Sequence, residues 1–358
     1  MLNIASASEN ESGVISLRDY IAEQAPDKPY KVVCFYHTGE TARDFGNNDH
    51  LEMMKTMNKS DVEIYYIDYF GTYFSSKDGD TYINYLKKDD VTKKIIPPSM
   101  KGGSSDYEKP LKISTEDTLF LYRDLPPDRR SWRDMIFGLE VRGYYLLNNT
   151  KCYNICGSKY MTDVHLRRND LRTPNTVRVL HSEDSERAFN ELNTKFPVIL
   201  KMSTGSQTGV GVLLIDNMRT LHATVQMALL VDNSLSLILQ EYIEIDYDIR
   251  AIVLGDEVIA SMKRKVIKGD DFRSNVSLGA EAEPIELTEL EKENAIKANK
   301  SVNGKLTGVD MFPSKNRETE QPYILEVNSN PGFVGIEKVV PKTTKRIFDH
   351  FKNRDNWT

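Results

Sequence analysis

Long apolar runs are missing from this sequence. Nothing in its 358 residues approaches the roughly 20 consecutive apolar residues of a membrane helix. The opening MLNIASASENESG also lacks the basic start and apolar core of a secretory signal, so a cytoplasmic protein with no membrane partner is expected. Cysteine is scarce. Cys34, Cys152 and Cys156 form an odd set with no metal-type pairing, which points to a reducing compartment. Positive charge is not in excess either: 47 Lys and Arg face 53 Asp and Glu, a formal net charge of −6, which argues against a nucleic-acid partner. The GxxxxGK[ST] phosphate loop and the GxGxxG dinucleotide turn are both absent.

Hydrophobic residues at 39% and charged residues at 28% are ordinary for a soluble globular chain, and the length allows two or three lobes. Residues 1–28 are polar and mixed, and read as a tail. YKVVCFYH (30–37), VEIYYIDYF (62–70) and DTLFLYRDL (117–125) are strand-like runs alternating with helix-compatible sequence, the signature of a parallel α/β lobe over 29–150. The Pro-, Gly- and Ser-rich stretch IIPPSMKGGSSDYEKP (95–110) interrupts it as an excursion or loop. From 151 the pattern changes. A helix at about 157–169, strands at 196–202 and 211–217 and a helix at 218–231 make a central lobe over 151–235. SLILQEYIE (236–244), DIRAIVLGDEVIASMKRKV (248–266), a helix at 287–303, a final hairpin and a terminal helix make a third lobe over 236–358.

That final hairpin, GVDMFPSKNRETEQPYILEVNSNPG (308–332), carries Asp310 on one strand and Glu326 and Asn328 on the other. Strict alternation puts Ile324, Glu326 and Asn328 on one face and Tyr323, Leu325 and Val327 on the other. Acids inside such a run cost free energy unless something pairs with them. Two carboxylates and an amide oxygen are hard donors of the kind that hold Mg²⁺, which fills the rest of its shell with water and phosphate oxygens. The hairpin therefore reads as a magnesium platform for a nucleotide.

A phosphate grip is available upstream. In KMSTGSQTGVGV (201–212), Gly205, Gly209 and Gly211 let backbone N–H groups close over phosphate oxygens, and Lys201 brings a cation to them. A plain hairpin turn explains the same glycines. In FRSN (272–275), Arg273 offers a fixed, forked cation suited to phosphoryl or acyl-phosphate oxygens. QEYI (240–243) can line an adenine with backbone groups. Asp248 and Arg250 share a strand face, as ligands or as a surface ion pair, and Lys263, Arg264, Lys265 and Lys268 read mostly as a solvated strand end.

In sequence order, LKMSTGSQTGVGVLL, LQEYI, DIRAIVLGDEVIAS, GDDFRSN, TGVD and LEVNSNPGFVGIEK resemble the RimK branch of the ATP-grasp ligases, densely from about 195 to 340 and more loosely from 117. The resemblance implies an α/β chain of ATP-grasp fold, two α+β lobes clasping ATP behind a Rossmann-like domain. It implies ATP contacts from Lys159, Lys201, Gly205, Gly209, Gly211, Glu241, Tyr242, Asp248, Arg273, Ser274 and Asn275. Asp310, Glu326 and Asn328 correspond to its metal ligands, for two Mg²⁺ ions with Mn²⁺ as a substitute, and Arg250 and Arg273 to catalytic cations. Thr204 stands where this branch usually has an acid, and the SQTGVG loop is one residue longer than its usual form.

The activity so implied is ATP-dependent, ADP-forming ligation of a carboxylate to an amine through an acyl phosphate. An amino acid, glutamate foremost, would be added to the carboxyl end of a peptide or protein, and the resemblance allows a homo-oligomer, a homotetramer or dimer. Two other readings stay open: a ligase joining small amino-acid substrates, and an ATP-binding interaction module without catalysis.

Overall fold

The structure is a computed structural model that describes residues 30–36, 62–68, 72–86, 107–122, 129–204, 211–265 and 282–357. The tail, most of the 95–110 stretch, Gly205, Gly209 and the whole of Phe272–Asn275 lie outside the described residues.

The chain opens with β1 (Lys31–Tyr36) and β2 (Glu63–Asp68), then β3 (Thr72–Lys77), β4 (Asp80–Tyr85) and β5 (Leu111–Ile113), which form a small antiparallel sheet of their own. After β6 (Thr118–Tyr122), α1 (Arg129–Val141) and β7 (Tyr145–Leu147), the first sheet is complete in the order β2-β1-β6-β7, with all neighbours parallel. A parallel sheet is covered on both faces, and β1 shows how the sequence meets that demand. Val33 and Phe35 join one core with Phe120, Tyr122 and Leu139. Val32 and Cys34 join the opposite core with Leu119, Leu121, Ile252, Leu306 and Phe348, which come from the other end of the chain. The first lobe and the last are therefore welded through one hydrophobic core.

The central lobe contains α2 (Thr150–Cys156), α3 (Lys159–Arg168), β8 (Thr176–Val179), α4 (Ser185–Leu192), β9 (Val198–Met202), β10 (Val212–Ile215), α5 (Met218–Val231) and β11 (Leu237–Glu241). Its antiparallel sheet has the order β10-β9-β11-β8. A division at 235/236 would give β11 to the next lobe. The structure corrects this: Leu237 and Leu239 bury among Val198, Leu200 and Val225, and β11 pairs with both β9 and β8. The helix expected at 157–169 starts at Lys159, because the Ser158 side chain accepts the Met161 N–H and so caps a fresh helix after α2 ends.

The third lobe runs β12 (Tyr247–Leu254), β13 (Glu257–Lys265), β14 (Ala282–Pro284), α6 (Glu289–Ser301), β15 (Leu306–Phe312), β16 (Tyr323–Asn328), α7 (Val334–Val339) and α8 (Thr343–His350). The sheet order is β14-β13-β12-β15-β16, antiparallel throughout. Thr288 and Glu291 close a capping box on α6, which covers one face of this sheet. Asn148, at the end of β7, fastens the first lobe to it: its amide donates to the carbonyls of Leu306 (2.7 Å) and Ser329 (2.6 Å) and accepts from the N–H groups of Lys305 (2.7 Å) and Leu306 (3.0 Å).

Candidate active site

The last hairpin does not follow strict alternation. Asp310 pairs with Glu326 but Met311 pairs with Ile324, so Leu325 has no partner and the strand bulges there. The extra residue turns Ile324 onto the face of Val327, and both bury against α6. Ile324 is thus not on the face of Glu326 and Asn328, as alternation had predicted. The bulge separates the apolar side of the hairpin from a polar side that carries Asp310, Glu326 and Asn328.

Asp310 is only 4% exposed, and its neighbours explain how a charge survives there. Arg250, its cross-strand partner on β12, grips it with both prongs, Nε to Oδ1 at 2.7 Å and Nη2 to Oδ2 at 2.7 Å. Arg264 reaches Oδ1 at 3.3 Å, and the Asn328 amide donates to Oδ2 at 3.3 Å. Burial pushes the Asp310 carboxyl up, but Arg250 and Arg264 more than offset it and hold it at about 2. It is ionised across the physiological range.

Arg264 is not part of a solvated strand end. It is 2% exposed and forks onto Asp248, Nε to Oδ1 at 2.7 Å and Nη2 to Oδ2 at 2.5 Å. Asp248 is itself 2% exposed. Asp248 and Arg250 are therefore no surface pair. They are the two ends of a buried chain of alternating charge, Asp248–Arg264–Asp310–Arg250, and the Asp248 carboxylate faces its arginine instead of open solvent. The periodicity of β13 carries the signal for this: Ala260, Met262 and Arg264 are buried while Lys263 and Lys265 point outward. Those two lysines share Glu283 on β14, at 3.2 and 3.3 Å.

The other cations come from the central lobe. Lys201 ends its buried run on β9 at 9% exposure, its ammonium donating to Gln240 Oε1 at 2.5 Å. Gln240 in turn donates to Thr176 Oγ1 at 2.9 Å, so the lysine is held by a relay across three strands. Burial drives the Lys201 ammonium down to about 8, with Glu326 pulling it up and Lys159 pushing it further down. Lys159, at the start of α3, stands 3.6 Å from Glu326 Oε1. Ser203, two residues past Lys201, binds this helix start directly: its carbonyl accepts the Lys159 N–H at 2.8 Å and its hydroxyl lies 3.1 Å from that of Ser158. Gln240, Ser203, Arg264 and Asn148 are polar residues that motif reading alone does not single out.

Gly211 closes the loop that begins after Lys201. Its φ is +79° and a Cβ there would sit 3.1 Å from Met202 Sδ, so the turn back into β10 requires glycine. Glu241 ends β11 half-buried, its carboxylate accepting the Asn175 N–H at 3.1 Å, and Tyr242 follows it, also half-buried. Arg273, Ser274 and Asn275 cannot be placed relative to this group, since they lie outside the described residues.

Among the described residues no three His, Cys, Asp or Glu side chains cluster as a metal site. Asp310, Glu326 and Asn328 form a sparser set: one carboxylate kept ionised by two guanidiniums, one carboxylate about a third exposed, and an amide. These donors fit a hard cation that keeps water and phosphate oxygens in its shell.

The two antiparallel sheets, with Lys159 of one lobe beside Glu326 of the other, match the frame of an ATP-grasp protein, and solved structures of that fold superpose on the chain. A RiPP-associated ATP-grasp ligase from Chryseobacterium gregarium, in complex with ADP and a leader and core peptide, aligns with a TM-score of 0.60 at 16% identity over 89% of this chain and 96% of that one. D-alanine–D-alanine ligase from Bacillus anthracis, complexed with ATP, aligns with a TM-score of 0.58 at 16% identity over 92% and 95%. At that identity the likeness concerns the fold alone. The RimK-like ATP-grasp domain profile matches residues 158–347, and the chain belongs to that family. A probable alpha-L-glutamate ligase of Coxiella burnetii is 33% identical over 205 residues, 57% of this chain and 65% of the relative. One of Rhodopirellula baltica is 35% identical over 174 residues, 48% of this chain and 41% of the relative. The chain thus spans less than two thirds of the length of these relatives. Among its described residues no helix is long and apolar enough to cross a membrane.

Proposed function

We propose that this protein is an ATP-dependent, ADP-forming carboxylate–amine ligase that adds an amino acid, glutamate foremost, to the carboxyl end of a peptide or protein. The observation that carries this reading is the juxtaposition of Lys159 and Glu326 beside an ionised Asp310, within the matched family domain. The names of the relatives supply the amino acid. The peptide-bound and ADP-bound neighbours of the same fold support a peptide acceptor and a nucleotide.

A carboxylate does not condense with an amine in water, because its oxygen is a poor leaving group. In the proposed reaction a carboxylate oxygen attacks the γ-phosphorus of ATP and ADP leaves. The amine then attacks the acyl carbon, the phosphate leaves with the bond electrons, and the amine loses its proton to give the amide. Lys201 and Lys159 hold the phosphates in line, which is chiefly a positioning effect. Glu241 and Tyr242 border the adenine end, and Gly211 sets the return of the phosphate loop. Arg250 faces the oxyanion that develops during transfer. Asp310, Glu326 and Asn328 would hold magnesium, which would supply charge neutralisation for the transferring phosphoryl group. Arg273, Ser274 and Asn275 complete the phosphate contacts in this scheme.

The test is ADP release from Mg²⁺-ATP with each amino acid in turn, with and without a peptide that has a free carboxyl end, followed by mass spectrometry. Peptide products longer by one glutamate per step are expected. Turnover with free amino acids alone, giving only dipeptides, would move the assignment to a small-molecule ligase.

A further inference from the structure

The side chains of Thr176, Gln240 and Lys201 share one face of the central sheet. Gln240 stands directly opposite Thr176 on β8 and opposite Ile199 on β9, two residues before Lys201. The other face carries Leu237, Leu239, Val198 and Leu200 into the core under α4 and α5. The line of hydrogen bonds through the three polar residues has chemically fixed ends. At one end the Pro174 carbonyl has no hydrogen and can only accept, and it takes the Thr176 hydroxyl proton at 2.9 Å. At the other the Lys201 ammonium can only donate.

Every bond between those ends then has one direction. The Thr176 hydroxyl has given its proton to Pro174, so it can only accept from Gln240, and Nε2 is the one side-chain atom of Gln240 with a proton to give, at 2.9 Å. Oε1 is thereby left facing Lys201, at 2.5 Å. The opposite orientation would set two N–H donors against an ammonium. Gln240 is buried, and among the described residues Thr176 Oγ1 is the one acceptor its side-chain nitrogen has. A buried amide nitrogen stripped of its acceptor costs free energy, so without the hydroxyl the amide would turn toward another partner and take Oε1 from the lysine. The line is also anchored outside the sheet. The Pro174 carbonyl accepts Arg167 Nη2 at 2.9 Å, and Arg167 lies on α3, the helix that begins with Lys159.

We propose that Thr176 is a positioning residue of the nucleotide site: through Gln240 it holds the Lys201 ammonium where it meets the phosphates, acting on the lysine and not on the nucleotide. The inference rests on the nucleotide reading of Lys201 given above. Valine has nearly the shape of threonine and suits a strand as well, so what Thr176 adds is its hydroxyl.

The experiment is calorimetric titration of the full-length protein with Mg²⁺-ADP, with no amino acid or peptide present. Thr176→Val should weaken ADP binding about tenfold, the scale of a hydrogen bond to a charged group, while Thr176→Ser should stay within about twofold of wild type. Packing alone predicts the reverse order, since serine loses the methyl that valine keeps. Thr176→Ala differs from Thr176→Ser by the hydroxyl alone, and repeats the test without a β-branched side chain. In Lys201→Met, adding Thr176→Val should cost nothing further. Gln240→Glu presents an oxygen to Lys201 whichever way it turns, and there too Thr176→Val should lose its effect. Wild-type affinity in Thr176→Val and Thr176→Ala overturns the proposal. So does Thr176→Ser binding as weakly as they do, or an undiminished loss from Thr176→Val in the Lys201→Met or Gln240→Glu protein. ADP binding by wild type and its weakening in Lys201→Met read the nucleotide site itself, so the inference can fail while the ligase reading stands.

Discussion

Lys159 Nζ and Glu326 Oε1 lie 3.6 Å apart, joining the first residue of α3 to the last strand of the C-terminal sheet. The pair is loose and partly exposed, with side chains 18% and 32% accessible, so it contributes little to stability. Its significance is positional: it brings the lysine of one lobe to the carboxylate of the other.

Glu326→Gln should therefore separate folding from function. Stability is expected to change by no more than about 1 kcal/mol, since the pair is screened by solvent. ADP release should fall at least about 100-fold, through loss of a carboxylate that no neighbour replaces. Thermal unfolding and the ADP assay read the two effects, and near-normal turnover would remove Glu326 from the metal set.

Lys201 gives ATP binding a pH dependence of defined sign. Burial holds its ammonium at about 8 in the free protein, and a phosphate beside it favours the charged form. Below pH 8 the lysine is already charged; above it, binding must take up a proton. Affinity for ATP should fall as pH rises past about 8, approaching tenfold per unit. Calorimetry across about pH 7 to 9.5 checks this. The dependence should vanish in Lys201→Met, and a flat wild-type profile would mean the lysine does not meet the phosphates.

Asn148→Leu should destabilise the fold by about 2–4 kcal/mol, because it removes the amide that the buried N–H and carbonyl of Leu306 and the part-buried groups of Lys305 and Ser329 bond to. Urea unfolding measures it. A change under about 0.5 kcal/mol would show that this lobe junction does not depend on the amide.

Asp310 sets an acid limit. Its carboxyl is held at about 2 against an ordinary 3.8, so its stabilising contribution is complete above about pH 4 and is lost as pH falls through about 2. The stability difference between wild type and Asp310→Asn should shrink over that window. A difference that stays constant from about pH 5 to 2 would contradict the charge chain.

The sequence was legible where chemistry is local. The order of the motifs, the apolar strand-like runs of β1 and β9, the hairpin with its two acids and the glycine that returns the chain into β10 all follow from residue type and spacing. Three things were not legible there. A single unpaired residue, Leu325, moves Ile324 to the other face, and nothing in the spelling of YILEVN marks where pairing slips. β11 reads equally well as the start of one lobe or the end of another until its partners are known. Arg264 sits in a run of basic residues, and composition alone reads such a run as solvated.

By itself, then, the sequence determined which groups this protein has for phosphate and metal chemistry and the family whose motif order they share, since those depend on side-chain identity and short-range spacing. Only the tertiary structure decided what each group is bonded to. Asp248, Arg264, Asp310 and Arg250 become one chain of charge because β12 pairs with β13 on one side and β15 on the other. Whether an ionised side chain is exposed, paired or buried depends on neighbours that lie as far as 62 positions away, from Asp248 to Asp310, and that distance is closed by the fold.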